Sequence, residues 1–104
     1  MTKLIALYRR PDDPAEFDRH FNAVHTALAQ RYPGLRRFEI TRITGAPIGD
    51  TKFYVMAEMY FDSKAAMETA LASKEGKAVA RDLMGFAANI VTIFYGDVSN
   101  PEQR

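Results

Sequence analysis

Lys52-Phe53-Tyr54-Val55-Met56-Ala57-Glu58-Met59-Tyr60-Phe61 is the stretch that decides the fold. Its aromatic and β-branched residues suit a pleated, packed surface, so the run predicts a strand. Alternation sets Phe53, Val55, Ala57, Met59 and Phe61 on one side against Tyr54, Met56, Glu58 and Tyr60 on the other. Both sides are mostly apolar, which predicts a strand covered on both faces.

Upstream, Gly45-Ala46-Pro47-Ile48-Gly49-Asp50 is a turn longer than a tight hairpin. Before it, Leu35 to Thr44 alternates, with Phe38 and Ile40 set against Arg37, Glu39 and Thr41. Leu4 to Tyr8 is a first strand stopped by Arg9-Arg10-Pro11. Asp12 and Asp13 ahead of Pro14 open a helix, Phe17, Phe21, Val24 and Leu28 form its apolar seam, and Pro33-Gly34 ends it. Downstream, Asp62 and Ser63 cap a second helix whose stripe is Ala66, Met67, Ala70 and Leu71. Ser73 to Gly76 interrupts or bends it, and Val79, Leu83 and Phe86 continue the stripe. Asn89 to Tyr95 is the last strand. Residues 1–96 are thus expected to form one domain, with 97–104 a loose tail.

The order is βαββαβ. Right-handed crossovers turn it into a ferredoxin-like α+β fold, a four-stranded antiparallel sheet with two helices on one face. Helices cover only one face, yet both faces are apolar: the first strand sets Leu4, Ala6 and Tyr8 against Ile5 and Leu7, and the last sets Val91, Ile93 and Tyr95 against Ile90, Thr92 and Phe94. An open apolar sheet face is an interaction surface, and a second copy across a two-fold axis would bury it. A homodimer is expected.

Composition narrows the function classes. A chain of 104 residues, 47% apolar and with a net charge of +1, is one globular domain without a strong pull toward nucleic acid or anionic membranes. Residues 1–52 carry nine Lys/Arg and six Asp/Glu, residues 53–104 five and seven, an imbalance that fits a solvated surface. Without cysteine there are no disulfides, thiolate nucleophiles or cysteine metal ligands. The apolar stretch after Met1 is too short for a signal core of roughly 7–15 residues. No segment approaches the ~20 apolar residues of a membrane span, and a cytoplasmic protein is expected. RNA-recognition modules share the βαββαβ order, but they need basic, glycine-interleaved aromatics on the third strand. Lys52 to Phe61 has no glycine and carries Glu58, and Arg9-Arg10 and Arg36-Arg37 fall at opposite ends of the sheet.

His25 is one of two histidines. At about 100° per residue it lies roughly 60° from the helix seam, near Phe21 and Tyr32, at the edge of the buried face. An imidazole there is either a boundary histidine bonded to a carbonyl or a general acid or base reaching into a cleft. Tyr8, Tyr32, Tyr54 and Tyr60 supply phenols able to orient a carbonyl or phenolate. Asp82 and Glu58 are the carboxylates that could fix the imidazole tautomer, and helix-face geometry does not choose between them. His20, five residues from His25, would project about 140° away on an α-helix, so the pair is not expected to chelate one metal.

Arg9-Arg10-Pro11, the run Phe17 to His25, Pro33-Gly34-Leu35 and Glu58-Met59-Tyr60-Phe61-Asp62-Ser63 resemble the EthD family in order and spacing. The family is named for ethyl tert-butyl ether degradation. The Ser73 to Gly76 break, with Asp82 and Phe86 beyond it, continues the likeness. One departure is that the family often has an aromatic pair, commonly tyrosines, where this chain has His20 and Phe21. The resemblance implies a dimeric α+β barrel protein, free of cofactor and linked to breakdown of organic compounds. Relatives on that barrel include antibiotic-pathway monooxygenases, polyketide cyclases and lactone isomerases, which work in a cleft of each protomer. A histidine at position 25 is part of the motif.

The expectation is a small aromatic or cyclic organic compound held in a cleft lined by Tyr8, Phe21, Tyr32, Tyr54 and Asp82. His25 would serve there as acid or base in an isomerase, cyclase or lyase step, with no metal and no cofactor. Two alternatives stand beside it: an accessory carrier without turnover, and a haem protein with His25 as axial ligand.

Overall fold

The computed structural model describes residues 1–99. Four strands, β1 (Thr2–Arg9), β2 (Arg37–Arg42), β3 (Phe53–Phe61) and β4 (Val91–Asp97), form one antiparallel sheet in the order β2-β3-β1-β4. The first helical stretch comprises α1 (Pro14–His20), a π-helical turn (Phe21–His25) and α2 (Thr26–Ala29). The second comprises α3 (Lys64–Ala72) and α4 (Lys74–Phe86). This is the expected ferredoxin-like α+β arrangement, with the helices on one face.

The core lies between that face and the helices. Along β1, Thr2, Leu4, Ala6 and Tyr8 are buried while the residues between them are half-exposed. Opposite them in register stand Phe61, Met59, Ala57 and Val55 of β3, all buried. Phe17 and Phe21 close over one end of this floor, and Met67, Ala70, Val79 and Leu83 over the rest. At about 25 cal/mol per Å² of apolar area, these contacts dominate the stabilisation.

The break in the second helical stretch follows the sequence closely. The Ser63 hydroxyl caps α3 by accepting from the Ala66 N–H at 3.1 Å, and the Ser73 hydroxyl caps α4 by accepting from Gly76 at 3.0 Å. Gly76 is required there, because a Cβ would stand 2.2 Å from the Ala70 carbonyl oxygen. Gly34, at φ 77°, makes the tight turn out of the first helical stretch.

Three expectations need correction. The first helical stretch is not uniformly α: Thr26 N–H donates to the Phe21 carbonyl, an i to i+5 bond. The extra residue in that turn rotates Val24 outward to 37% exposure and brings His25 inward to 5%. Second, the last strand runs past Tyr95. Gly96 and Asp97 pair with Lys3 and Thr2, the Thr2 hydroxyl donates to Asp97 at 3.0 Å, and Val98 N–H donates to the Met1 carbonyl. Residue 97, expected to open a loose tail, therefore lies in the strand, and residues 100–104 lie outside the described residues. Third, the β1–β3 register shifts between Tyr8 and Arg9, whose partners are Val55 and Phe53. Tyr54 falls in the irregularity and meets α1 instead of joining Met56, Glu58 and Tyr60.

Candidate functional site

The π turn shapes the site. On a regular α-helix the two histidines would diverge, but with i to i+5 bonding both meet one carboxylate on α4. His25 Nδ1 lies 2.8 Å from Asp82 Oδ2, and His20 Nε2 lies 2.8 Å from Oδ1 and 3.1 Å from Oδ2. Both imidazoles also face the Phe86 ring, at centroid distances of 4.6 Å for His20 and 4.9 Å for His25.

Because a carboxylate only accepts, His25 donates its Nδ1–H to Asp82, and the lone pair of the neutral ring is on Nε2. Nε2 has no hydrogen-bond partner among the described residues. Burial pushes the His25 pKa below its ordinary 6.5, outweighing the Asp82 bond and charge that raise it, while the charge of His20 lowers it further. The ring is a neutral base at neutral pH.

His25 lines a small, partly enclosed cavity of about 30 Å³ between the first helical stretch, α4 and the sheet. Tyr8, Phe21 and Tyr32 share its wall. Tyr8 is fully buried, its ring set edge-on to Phe17 and Phe21 at 5.4 Å, and its hydroxyl has no partner among the described residues. Burial first, then the neighbouring Tyr32 and Asp82, raise the Tyr8 pKa far above that of an ordinary phenol. Burial pushes Tyr32 up to about 12. Both phenols remain protonated donors.

On the far side of Asp82 is an open groove of about 650 Å³, lined by Asp12, Asp13, Glu16, His20 and Phe86 among others. Asp82 thus lies between a small apolar cavity and an open acidic groove.

The structure brings His25, Tyr8, Phe21, Tyr32 and Asp82 together and leaves Tyr54 out. The Tyr54 hydroxyl donates to Asp18 at 2.9 Å, and the Arg42 guanidinium lies over its ring. Glu58 is also elsewhere, on the open face, where Lys3 Nζ donates to it at 2.6 Å. Between the two carboxylates, the structure selects Asp82. Sequence reasoning missed His20, because it assumed a constant 100° step, and Phe86, which it read only as packing. The spacing of five residues was the visible signal; the π turn that gives it meaning was not.

Among the described residues, no three His, Cys, Asp or Glu side chains are grouped to hold a metal ion. A porphyrin does not fit a cavity of about 30 Å³, so haem with His25 as axial ligand is not supported by these residues. Among the described residues, no helix is long and apolar enough to cross a membrane.

The EthD domain family model matches residues 9–89. An uncharacterised 11.0 kDa protein from the thcB-thcC intergenic region of Rhodococcus erythropolis is 35% identical over 97 residues, covering 93% of this chain and 94% of that protein. The crystal structure of an EthD family protein from Bacillus halodurans is 43% identical, with a TM-score of 0.92, covering 95% of this chain and 99% of that one. Two more distant structures share the fold alone. SnoaB, a cofactor-independent oxygenase from Streptomyces nogalater, is 22% identical with a TM-score of 0.64, covering 98% of this chain and 94% of SnoaB. A dimeric ferredoxin-like protein of unknown function from Thermobifida fusca is 15% identical with a TM-score of 0.67, covering 93% and 90%.

Proposed function

The chain belongs to the EthD family, and from that premise we propose that it takes a compact, oxygen-bearing aromatic or cyclic compound into the cavity beside His25. There it moves a proton on that compound without a cofactor. The observation that carries this reading is the bond from His25 Nδ1 to Asp82 at 2.8 Å, in a residue that lines the cavity, which leaves Nε2 as the base.

In this reading His25 Nε2 withdraws a proton from carbon next to a carbonyl, or from a ring hydroxyl. The negative charge that grows on the ligand oxygen is met by the Tyr8 phenol. A buried hydroxyl without a partner costs about 1–3 kcal/mol, so an acceptor placed there recovers stabilisation that the free protein lacks. Such a step serves isomerisation, cyclisation or elimination equally.

Volume sets a further condition. A cavity of about 30 Å³ holds a water-sized group, whereas benzene occupies engineered cavities of about 150 Å³. The wall must yield on binding. Thr26, Phe38 and Ile93 are the lining residues that already reach solvent.

Cyclohexanone in D2O tests the reading. The wild-type protein should speed exchange of the α-hydrogens, followed by NMR, and His25→Gln should lose about 100-fold or more of that acceleration. Exchange untouched by His25→Gln would sink the base assignment. Binding of phenol or cyclohexanone that survives His25→Gln, with no exchange in either protein, would instead favour a carrier.

The open sheet face supports the second half of the proposal, a homodimer. Ile5, Leu7, Met56 and Tyr60 are half-buried on it and Phe94 is 42% exposed. Packing against a second copy would cover them. A monomer by light scattering at micromolar concentration would exclude this pairing.

A further inference from the structure

His20 is not needed to set the tautomer of His25, since Asp82 does that alone. Yet it holds the same carboxylate, and its ring lines the open groove that His25 does not reach. His25 has the opposite placement. Its side chain is 7% exposed against 25% for His20, with Asp82 between them at 17%. A proton taken up inside a small, partly enclosed cavity needs a way out, and Asp82 Oδ2 lies within reach of both rings, 2.8 Å from His25 Nδ1 and 3.1 Å from His20 Nε2.

We propose that His20, Asp82 and His25 form a proton relay from the small cavity to the open groove, with His20 as its solvent-side end. The relay rests on the reading of His25 as the base. His25 Nε2 takes the ligand proton and the ligand keeps the electron pair. The Nδ1 proton of the resulting imidazolium passes to Asp82 Oδ2. At rest the ionised Asp82 holds His20 by its Nε2–H, so His20 first shifts to its Nδ1–H tautomer through groove water. Its Nε2 then accepts the proton from Asp82, and its Nδ1 proton leaves to water in the groove. One proton has then moved from ligand to solvent, the carboxylate is ionised, His20 is back in its Nε2–H tautomer, and His25 carries its proton on Nε2. His20 acts only through Asp82 and His25, so it is a positioning residue and not a catalytic one.

The surroundings of His20 suit this role. The groove presents Asp12, Asp13 and Glu16 from the start of α1, Asp82 from α4 and no lysine or arginine. Glu16 is itself paired with Arg19, and the open groove gives a released proton a route to solvent. The Phe86 ring packs against both imidazoles.

The test needs no ligand. In protein labelled with 15N-histidine, exchange of the His25 Nδ1 proton with water is measured by NMR, in the wild type and in His20→Gln. Glutamine can still donate to Asp82 but cannot pass a proton. The relay predicts that His25 keeps its Nδ1–H tautomer in the variant while exchange slows by about 10-fold or more. Unchanged or faster exchange in a folded variant overturns it. Should His20→Gln fail to fold, His20→Asn gives a second readout with the same prediction; exchange in it as fast as in the wild type overturns the proposal. Failure here leaves the cyclohexanone result unaffected, and a failed cyclohexanone experiment leaves this one readable.

Discussion

The two faces of the sheet treat polar groups in opposite ways. On the open face, Lys3 pairs with Glu58, the Tyr60 hydroxyl donates to Glu39 at 3.0 Å, and Arg37 binds the same Glu39 while lying over the Tyr60 ring. These groups satisfy one another. On the helix-covered face, by contrast, the buried Tyr8 hydroxyl has no partner among the described residues. Buried polar groups are normally paired, because leaving one unpaired costs stability. The open face therefore reads as a surface built to be covered. The covered face reads as one that keeps capacity for something small.

Asp82→Asn breaks the contrast most severely. Asparagine can donate to an imidazole nitrogen, so His25 is free to present Nε2–H to the cavity and lose its base. Proton transfer to the cyclohexanone probe should fall about 10–100-fold with the fold retained, and an unchanged rate would refute the orienting role of Asp82.

Tyr8→Phe sharpens it through sign. If the hydroxyl is kept for a ligand, its removal relieves an unpaired buried group. The free protein should then gain about 1 kcal/mol, seen as a melting temperature roughly 4–8 °C higher, while affinity for phenol falls. A melting temperature that drops instead would show that the hydroxyl already has a structural partner.

The open face should respond in the opposite sense. Lys3→Met leaves the buried Glu58 carboxylate without its cation, so the melting temperature should fall by a few degrees, corresponding to about 1 kcal/mol. Cyclohexanone exchange should stay the same. A loss of exchange here would mean that the two faces are coupled.

The smallest effect is on pH dependence. Burial holds His25 below 6.5 in the folded chain, so the unfolded chain binds more protons in the window just under that value. The stability contributed is whole above pH 6.5 and is lost as pH falls through the folded value. Asp82 and His20, the charged neighbours of this ring, set how far below that point lies. Urea midpoints measured from pH 8 to 5 should show a decline in the wild type that is shallower in His25→Gln; parallel curves would remove His25 as its source.

Local chemistry made much of this legible. Alternation over Phe53 to Phe61 gave β3 its two faces, and the serine and glycine at 73 and 76 marked the break between α3 and α4, because caps and tight approaches need those residue types. His25 stood out because an imidazole at the edge of an apolar seam is unusual. Tyr54 was misplaced because a register shift against β1 depends on how two distant strands pair.

What the sequence alone determined is therefore the order of elements, the family and the identity of one histidine at the margin of the core. The tertiary structure alone decided that His20 joins it, that Asp82 and not Glu58 is the carboxylate between them, and that Tyr8 is left unpaired. The physical reason is the turn at Phe21 to His25. Whether that segment winds as α or π is set by what burying Phe21 and His25 against the sheet gains relative to the poorer local hydrogen bonding. That balance is struck with residues far away in the chain.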